Sequence, residues 1–220
     1  MEILGSGLHQ EDSRLLWDRS IMEDRDSCQS QRPFAVIQQG EHEVCPRGIA
    51  DALRGKNILC MSAKQENCKT VGASVALASG QKVGAETADD INLAKQLNIM
   101  LKKDANVAAE SIVMDIGTAA VGYGYEYVAS TLDRIRLAAL AQSDADLQMP
   151  IIAPVSTDTW GVKESTASEA DEPTWGDAEE RAIGMEVATA AANLTGGADA
   201  VILRHPVAVA TVKKFINELV

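Results

Sequence analysis

Five times in succession, from Lys56 to the last residue, a short apolar run is followed by a stretch of helical periodicity. Residues 111–141 hold the clearest unit. Ile112-Val113-Met114 stops at Asp115, and a loop of small residues follows at 116–124, with Gly117, Gly122 and Gly124. Tyr125, Val128, Leu132, Ile135 and Ala139 then recur at three- and four-residue steps, with Glu126, Ser130, Asp133 and Arg134 between them. Such steps put one apolar stripe on a helix. A buried strand thus ends in a carboxylate, a loop crosses its C-terminal edge, and a helix packs back. The same grammar gives a strand at 57–62 with a helix at 65–78 stopped by Gly80. It gives a weaker strand at 82–85, with Thr87 as the N-cap of the next helix and Asp90 three residues on. Ile91, Ala94, Leu97, Met100 and Leu101 form that helix's apolar face. A strand at 150–155 ends at Pro154, because proline cannot donate to a ladder. A long polar loop at 156–176 leads to a helix at 178–194, ended by Thr195-Gly196-Gly197. The strand at 200–203 breaks at Arg204-His205-Pro206, where Pro206 suits the first helical position. Val209, Val212, Ile216 and Leu219 line the inner face of that last helix.

Strict alternation implies an α/β fold, with a parallel sheet joined by right-handed crossovers. A TIM-type (β/α)8 barrel takes eight units in about 250 residues. Five units in about 165 residues fit the last five of such a barrel, left incomplete. A small open sheet fits too, but it lacks the GxGxxG or Walker loop of a nucleotide-binding open sheet. The division expected is an atypical, poorly ordered segment at 1–55 and a partial (β/α) barrel domain at 56–220. Residues 1–55 hold six arginines and no lysine, whereas 56–220 hold ten lysines and four arginines. The early segment offers one short strand at 34–37. Five strands would leave the 57–62 and 200–203 runs as open edges.

Aromatic residues make up only 4% of the chain, so aliphatic side chains and methionine must fill the core. The net charge of -12 argues against nucleic acid, whose phosphates need a basic face. No apolar run approaches the roughly 18 residues that cross a membrane. No secretory signal is visible, and a cytoplasmic protein is expected. Cys28, Cys45, Cys60 and Cys68 follow no CxxC spacing and read as free thiols rather than as cluster ligands or disulfides.

Residues 57–220 also resemble a known family. The carrying motifs are NILCMSAKQENCKT at 57–70, DDINLAKQLNI at 89–99, VMDIGTAAVGYGYEY at 113–127, LDRIRLAALAQSDADLQMPII at 132–152, TWGVKES at 159–165 and ILRHPVAVATVK at 202–213. Together they resemble the small (delta) subunit of the corrinoid iron–sulfur protein of the acetyl-CoA synthase/CO dehydrogenase system. The resemblance implies a (β/α)8 barrel of which 57–62 is the fourth strand, the N-terminal part having no counterpart in 1–55. It implies a heterodimer with a large corrinoid/iron–sulfur subunit, and transient contact with a methyltransferase and acetyl-CoA synthase. The pair carries a methyl group on cobalt from methyltetrahydrofolate or a related pterin, as part of the acetyl-CoA pathway. The corrinoid (cobalamin) is shared with the partner subunit, the iron–sulfur cluster is on the partner, and this chain performs no independent catalysis.

On that reading the corrinoid-facing residues are Asp115, Thr118, Tyr123, Gly124, Ser156, Trp160 and Arg204. A corrinoid is a broad apolar disc rimmed by amides; small loop residues let backbone approach it, and Tyr123 or Trp160 can cover it. Each has a plainer reading. Asp115 can hydrogen-bond its own loop, Trp160 can pack over the rim, and Tyr125 lies on the core stripe. His205 is tempting as a cobalt ligand, but histidines are more often satisfied by neighbouring groups. Glu126 and Glu164 read as solvated carboxylates rather than as an acid–base pair. Two other functions stand beside the carrier subunit: a stand-alone pterin-dependent methyltransferase-like enzyme, with Asp115 on the pterin and Lys163 or Glu164 moving protons, and a fragment without function.

Overall fold

Apolar runs rich in Ile, Val and Met become strands, and the intervening stretches wind into helices that return each strand to the same edge. The computed structural model describes residues 14–16, 35–37 and 58–219. Its strands are β1 (Arg14–Leu16), β2 (Ala35–Ile37), β3 (Ile58–Ala63), β4 (Lys82–Glu86), β5 (Ile112–Asp115), β6 (Ile152–Ala153) and β7 (Ala200–Val201). The helices are α1 (Cys68–Val71, continuing with a wider π-helical winding over Gly72–Leu77), α2 (Ile91–Lys103), α3 (Tyr125–Leu140), α4 (Val155–Thr159), α5 (Lys163–Thr166), α6 (Ala178–Gly196) and α7 (Pro206–Leu219).

The strands lie in sequence order. β1 to β5 form one sheet and β6 pairs with β7. A parallel bridge between Met114 and Ile151 links the two, and the Met114 N–H donates to the Pro150 carbonyl at 2.8 Å. Every described pairing from β2 to β7 is parallel; only β1 runs against its neighbour. The five expected strands are therefore present, parallel and in simple order. The expectation of an open edge at 57–62 is corrected, because β2 pairs with β3 along Ala35–Ile58, Val36–Leu59 and Ile37–Cys60. β2 is the short strand expected at 34–37. β1 has no periodicity to announce it. The rest of the expectation for 1–55 lies outside the described residues.

Alternation along the strands sorts the core into two clusters. Ile58, Cys60, Val83, Ala85, Ile112, Met114, Val201 and Leu203 share one cluster with helix residues that include Val71, Val75, Leu97, Leu101, Val128, Leu132, Ile135, Ala190 and Val212. The alternate positions, Leu59, Met61, Val113, Ile152, Ala200 and Ile202, form a second cluster of strands and strand ends alone. All helices in these clusters thus cover one face of the sheet. Gly84 keeps β4's place on the other face, where an added Cβ would lie 2.6 Å from the Met61 Sδ. Full burial of each such Ile or Leu contributes about 1.5–3 kcal/mol.

Two local expectations are corrected. Asp90, not Thr87, caps α2; its carboxylate accepts from the Asn92 N–H at 2.7 Å and the Leu93 N–H at 3.3 Å. Thr87 is instead held to the next strand end, its N–H donating to the Asp115 carbonyl at 2.8 Å. The stretch at 156–176 is not one loop, since α4 starts directly after Pro154 and α5 follows it. Cys60 and Cys68 are free and buried, and burial pushes the Cys60 thiol up to about 11.

Candidate functional site

In parallel sheets, ligands gather at the C-terminal ends of the strands. Here that edge carries two groups of polar side chains. The first surrounds Asp115, the last residue of β5 and 3% exposed. One carboxylate oxygen accepts from the Gly117 N–H at 3.0 Å, the loop-closing bond expected of an Asp at a strand end. Burial pushes its carboxyl up to about 7; the charges of Glu86 and Asp158 add to this, while the Gly117 bond and Lys64 oppose it. Lys64, just past β3, pairs with Glu86 at 3.1 Å. Burial also raises the carboxyls of Asp89 and Asp158, and Asp158 feels Asp89 as well. Four carboxylates and one lysine, from the ends of β3, β4, β5 and β6, thus converge within electrostatic reach.

The second group centres on Trp160, directly after α4. Its indole stacks on the His205 ring, with centroids 6.0 Å apart and planes 22° apart. The Arg204 guanidinium lies over the indole at 4.8 Å. Beneath them sits Glu186 of α6, fully buried. It accepts from the backbone N–H groups of Arg204 and of His205, the latter at 3.1 Å. Burial raises the Glu186 carboxyl, and those two bonds and the Trp160 indole oppose the shift. His205 is satisfied on both ring nitrogens: Nδ1 accepts from the Val207 N–H at 3.2 Å, and Nε2 lies 2.9 Å from Glu179.

The sequence-derived candidates fall as follows. Asp115, Ser156, Trp160 and Arg204 lie on one edge of the sheet; the Asp115–Asp158 coupling and the short span of α4 place Asp115 and Trp160 at the same end. The Ser156 N–H donates to the Ile202 carbonyl at 3.0 Å, tying α4 to the end of β7. Thr118 is tied to α6, exchanging hydrogen bonds with the Asn193 amide at 3.0 and 3.3 Å. Tyr123 is 47% exposed and donates to Glu164 at 2.5 Å. Gly124 caps α3 at φ 89°, a conformation that costs any other L-residue roughly 1–2 kcal/mol. Tyr125 packs against the core as expected.

Pattern reading misses a line of buried polar residues on α6. Glu186, Thr189 and Asn193 recur at steps of three and four. Glu186 holds the turn after β7, the Thr189 hydroxyl accepts from the Val121 N–H at 3.1 Å, and Asn193 holds Thr118. This stripe sews two strand-end loops to one helix. Its helical spacing is the signal that was available.

A family model described as CO dehydrogenase/acetyl-CoA synthase delta subunit matches residues 28–212. The acetyl-CoA decarbonylase/synthase complex subunit delta of Archaeoglobus fulgidus is 35% identical over 194 residues, 85% of this chain and 42% of that protein. Subunit delta 2 of the same-named complex from Methanosarcina acetivorans is 34% identical over 193 residues, 85% of this chain and 44% of that protein. The chain therefore spans less than half the length of these curated relatives. Among solved structures, a glycerophosphoryl diester phosphodiesterase from Parabacteroides distasonis aligns with a TM-score of 0.49 at 7% identity, covering 84% of this chain and 52% of that one. The family match begins at 28, so the placement of the resemblance from 57 onward is corrected: residues 28–56 share it.

Proposed function

Because this chain belongs to the CO dehydrogenase/acetyl-CoA synthase delta subunit family, we propose that it serves as the small subunit of a corrinoid iron–sulfur protein. It helps carry a methyl group from methyltetrahydrofolate or a related pterin to acetyl-CoA synthase, in the cytoplasm. Its fold on this reading is the wall of a (β/α)8-type barrel, with β3–β7 as the last five strands. The confinement of the helices to one face supports that, since a doubly wound sheet would carry helices on both.

The observation that carries the reading is the composition of the sheet's C-terminal edge. The loop at 116–124 has glycines at positive φ at 117, 122 and 124, so it brings backbone and little bulk to the edge. The same edge carries the Trp160–Arg204 stack. Small loop residues beside an aromatic wall fit a broad disc rimmed by amides, so these residues suit a corrinoid held chiefly by the large subunit. The corrinoid supplies a cobalt that accepts and gives up the methyl group. The protein's part is to orient the disc and exclude water. Gly124 and Tyr123 would border it from the α3 side, and Ser156, Trp160 and Arg204 from the α4 side. Asp115 shapes the loop, and Thr118 holds it to α6.

The 220-residue chain should form a 1:1 complex with the large corrinoid subunit in size-exclusion chromatography with light scattering, and should change the corrinoid's visible spectrum. One feature favours a second reading, a stand-alone pterin-dependent enzyme: a buried carboxyl with its pKa near 7 is poised to exchange protons with a ring nitrogen. Saturable binding of methyltetrahydrofolate by the chain alone, without complex formation, would replace the first reading with the second.

A further inference from the structure

We propose that the Arg204 guanidinium, lying on the Trp160 indole at the strands' C-terminal edge, is the receiving point for an anionic group, a carboxylate or a phosphate, on the ligand of this site. The proposal deepens the reading of this edge as the ligand-facing one and takes its location from that reading.

Three observations carry it. First, the guanidinium has no carboxylate partner among the described residues, although the chain holds 32 acidic residues against 20 basic ones. The other charged side chains around it are committed. Glu186 is spent on two backbone N–H groups, and Glu179 on His205. Second, the arginine is oriented in advance. Its backbone N–H is anchored by a carboxylate that is itself fully buried, and its planar head rests on an indole. An exposed lysine-like cation would have to be ordered on binding; a stacked, anchored guanidinium loses less. Third, α7 begins at Pro206, two residues on. Its N-terminal end adds positive potential on the same side, and the Glu186 carboxylate that faces it is engaged by the two N–H groups of that turn. A planar fork of donors in that setting matches a carboxylate or phosphate in paired fashion. Glu186 acts as the positioning residue, since it fixes the turn that presents Arg204 and does not itself meet the ligand.

The experiment uses the 220-residue chain with its tryptophans replaced biosynthetically by 5-fluorotryptophan. Fluorine NMR gives a resonance for each of the three, and Trp160→Phe identifies the one of interest. Inorganic phosphate and citrate are titrated separately, at constant ionic strength set with sodium chloride, to separate a phosphate site from a carboxylate site. A saturable shift of the Trp160 resonance with either anion is expected, with no shift at Trp175. Arg204→Gln should abolish it. Arg204→Lys keeps the charge but loses the planar fork, and should weaken binding by about tenfold. Glu186→Gln retains an acceptor and should weaken binding less than Glu186→Leu, with the same shift at saturation; such rescue distinguishes positioning from simple folding. A shift that persists in Arg204→Gln, or the lack of any saturable shift with both anions, overturns the proposal and leaves Arg204 as a cover for the indole. The titration needs no corrinoid, so its failure and that of the family reading are separate results.

Discussion

Asp115 is buried at 3% exposure with one strong backbone partner, and its carboxyl stays protonated up to about 7, well above the ordinary 3.8. The unfolded chain loses that proton near pH 4 and the folded chain near pH 7, so between those values the folded state binds more protons. Stability therefore falls as pH rises from about 4 to about 7 and is level above that. The full cost is on the order of 4 kcal/mol at one carboxyl. Asp89, Asp158 and Glu186 are shifted in the same direction and steepen the slope. Asparagine keeps the acceptor for the Gly117 N–H and removes the charge. Asp115→Asn should thus be more stable than the parent at pH 8, by about 2 kcal/mol or more, and nearly equal to it at pH 4.5. Urea melts at the two pH values measure this. An Asn variant weaker than the parent at pH 8 would mean that the folded state uses the negative charge, as a cation or ligand site would.

At the level of elements, α6 does more than cover the sheet. Because its polar stripe holds the loop after β5, Thr189→Val should leave the half-buried Val121 N–H without its partner and cost about 1 kcal/mol. Gly124→Ala should cost about 1–2 kcal/mol through backbone strain at φ 89°. Denaturant melts read both; losses under about 0.5 kcal/mol in the pair would mean that the loop is not held as described. This stripe also marks where the sequence stops being legible. The strands were plain because Ile, Val and Met cluster in runs bounded by Gly, Pro and Asp. The α3 stripe of Val128, Leu132, Ile135 and Ala139 was plain because its period is clean, and all four are buried. On α6 the buried face carries Glu186, Thr189 and Asn193 among alanines, so apolar period cannot tell inside from outside. α4 and α5 were hidden in a polar stretch for a related reason: one or two helical turns are too short to show a period, and neighbouring helices decide them. Thr87 lost the cap of α2 to Asp90 because the strand-end bond to Asp115 claimed its backbone. At the candidate site Asp115 and Arg204 stand out as residues directly after apolar runs, and Trp160 as the aromatic in the polar stretch after another, whereas Glu186, which organises the last two, lies far off in sequence.

For the whole molecule, the question is what meets the outer side of β7. Along this strand the Ala200 N–H donates to the Ile151 carbonyl and the Ile202 N–H to the Ala153 carbonyl. By the alternation of a parallel ladder, the Val201 N–H points away from β6. Among the described residues no strand pairs with that side. At the other end β1 and β2 extend the sheet beyond β3, so among the described residues β1 and β7 are the terminal strands, and β7 is apolar and unpaired on its outer side although Val201 and Ile202 are themselves buried. Unpaired apolar edges recruit other chains. Alone, the 23.4 kDa chain should therefore self-associate in a concentration-dependent way, seen by light scattering as a mass above the monomer's. Val201→Pro removes the outward N–H while sparing both bonds to β6, and should return the scattering mass toward the monomer. Val201→Ala, which shrinks the side chain but keeps the N–H, should not, so a general loss of packing is distinguishable from a blocked edge. A sharp monomeric peak with a cooperative melt in the parent chain would show that another part of the chain already covers β7, and that the wall closes on itself.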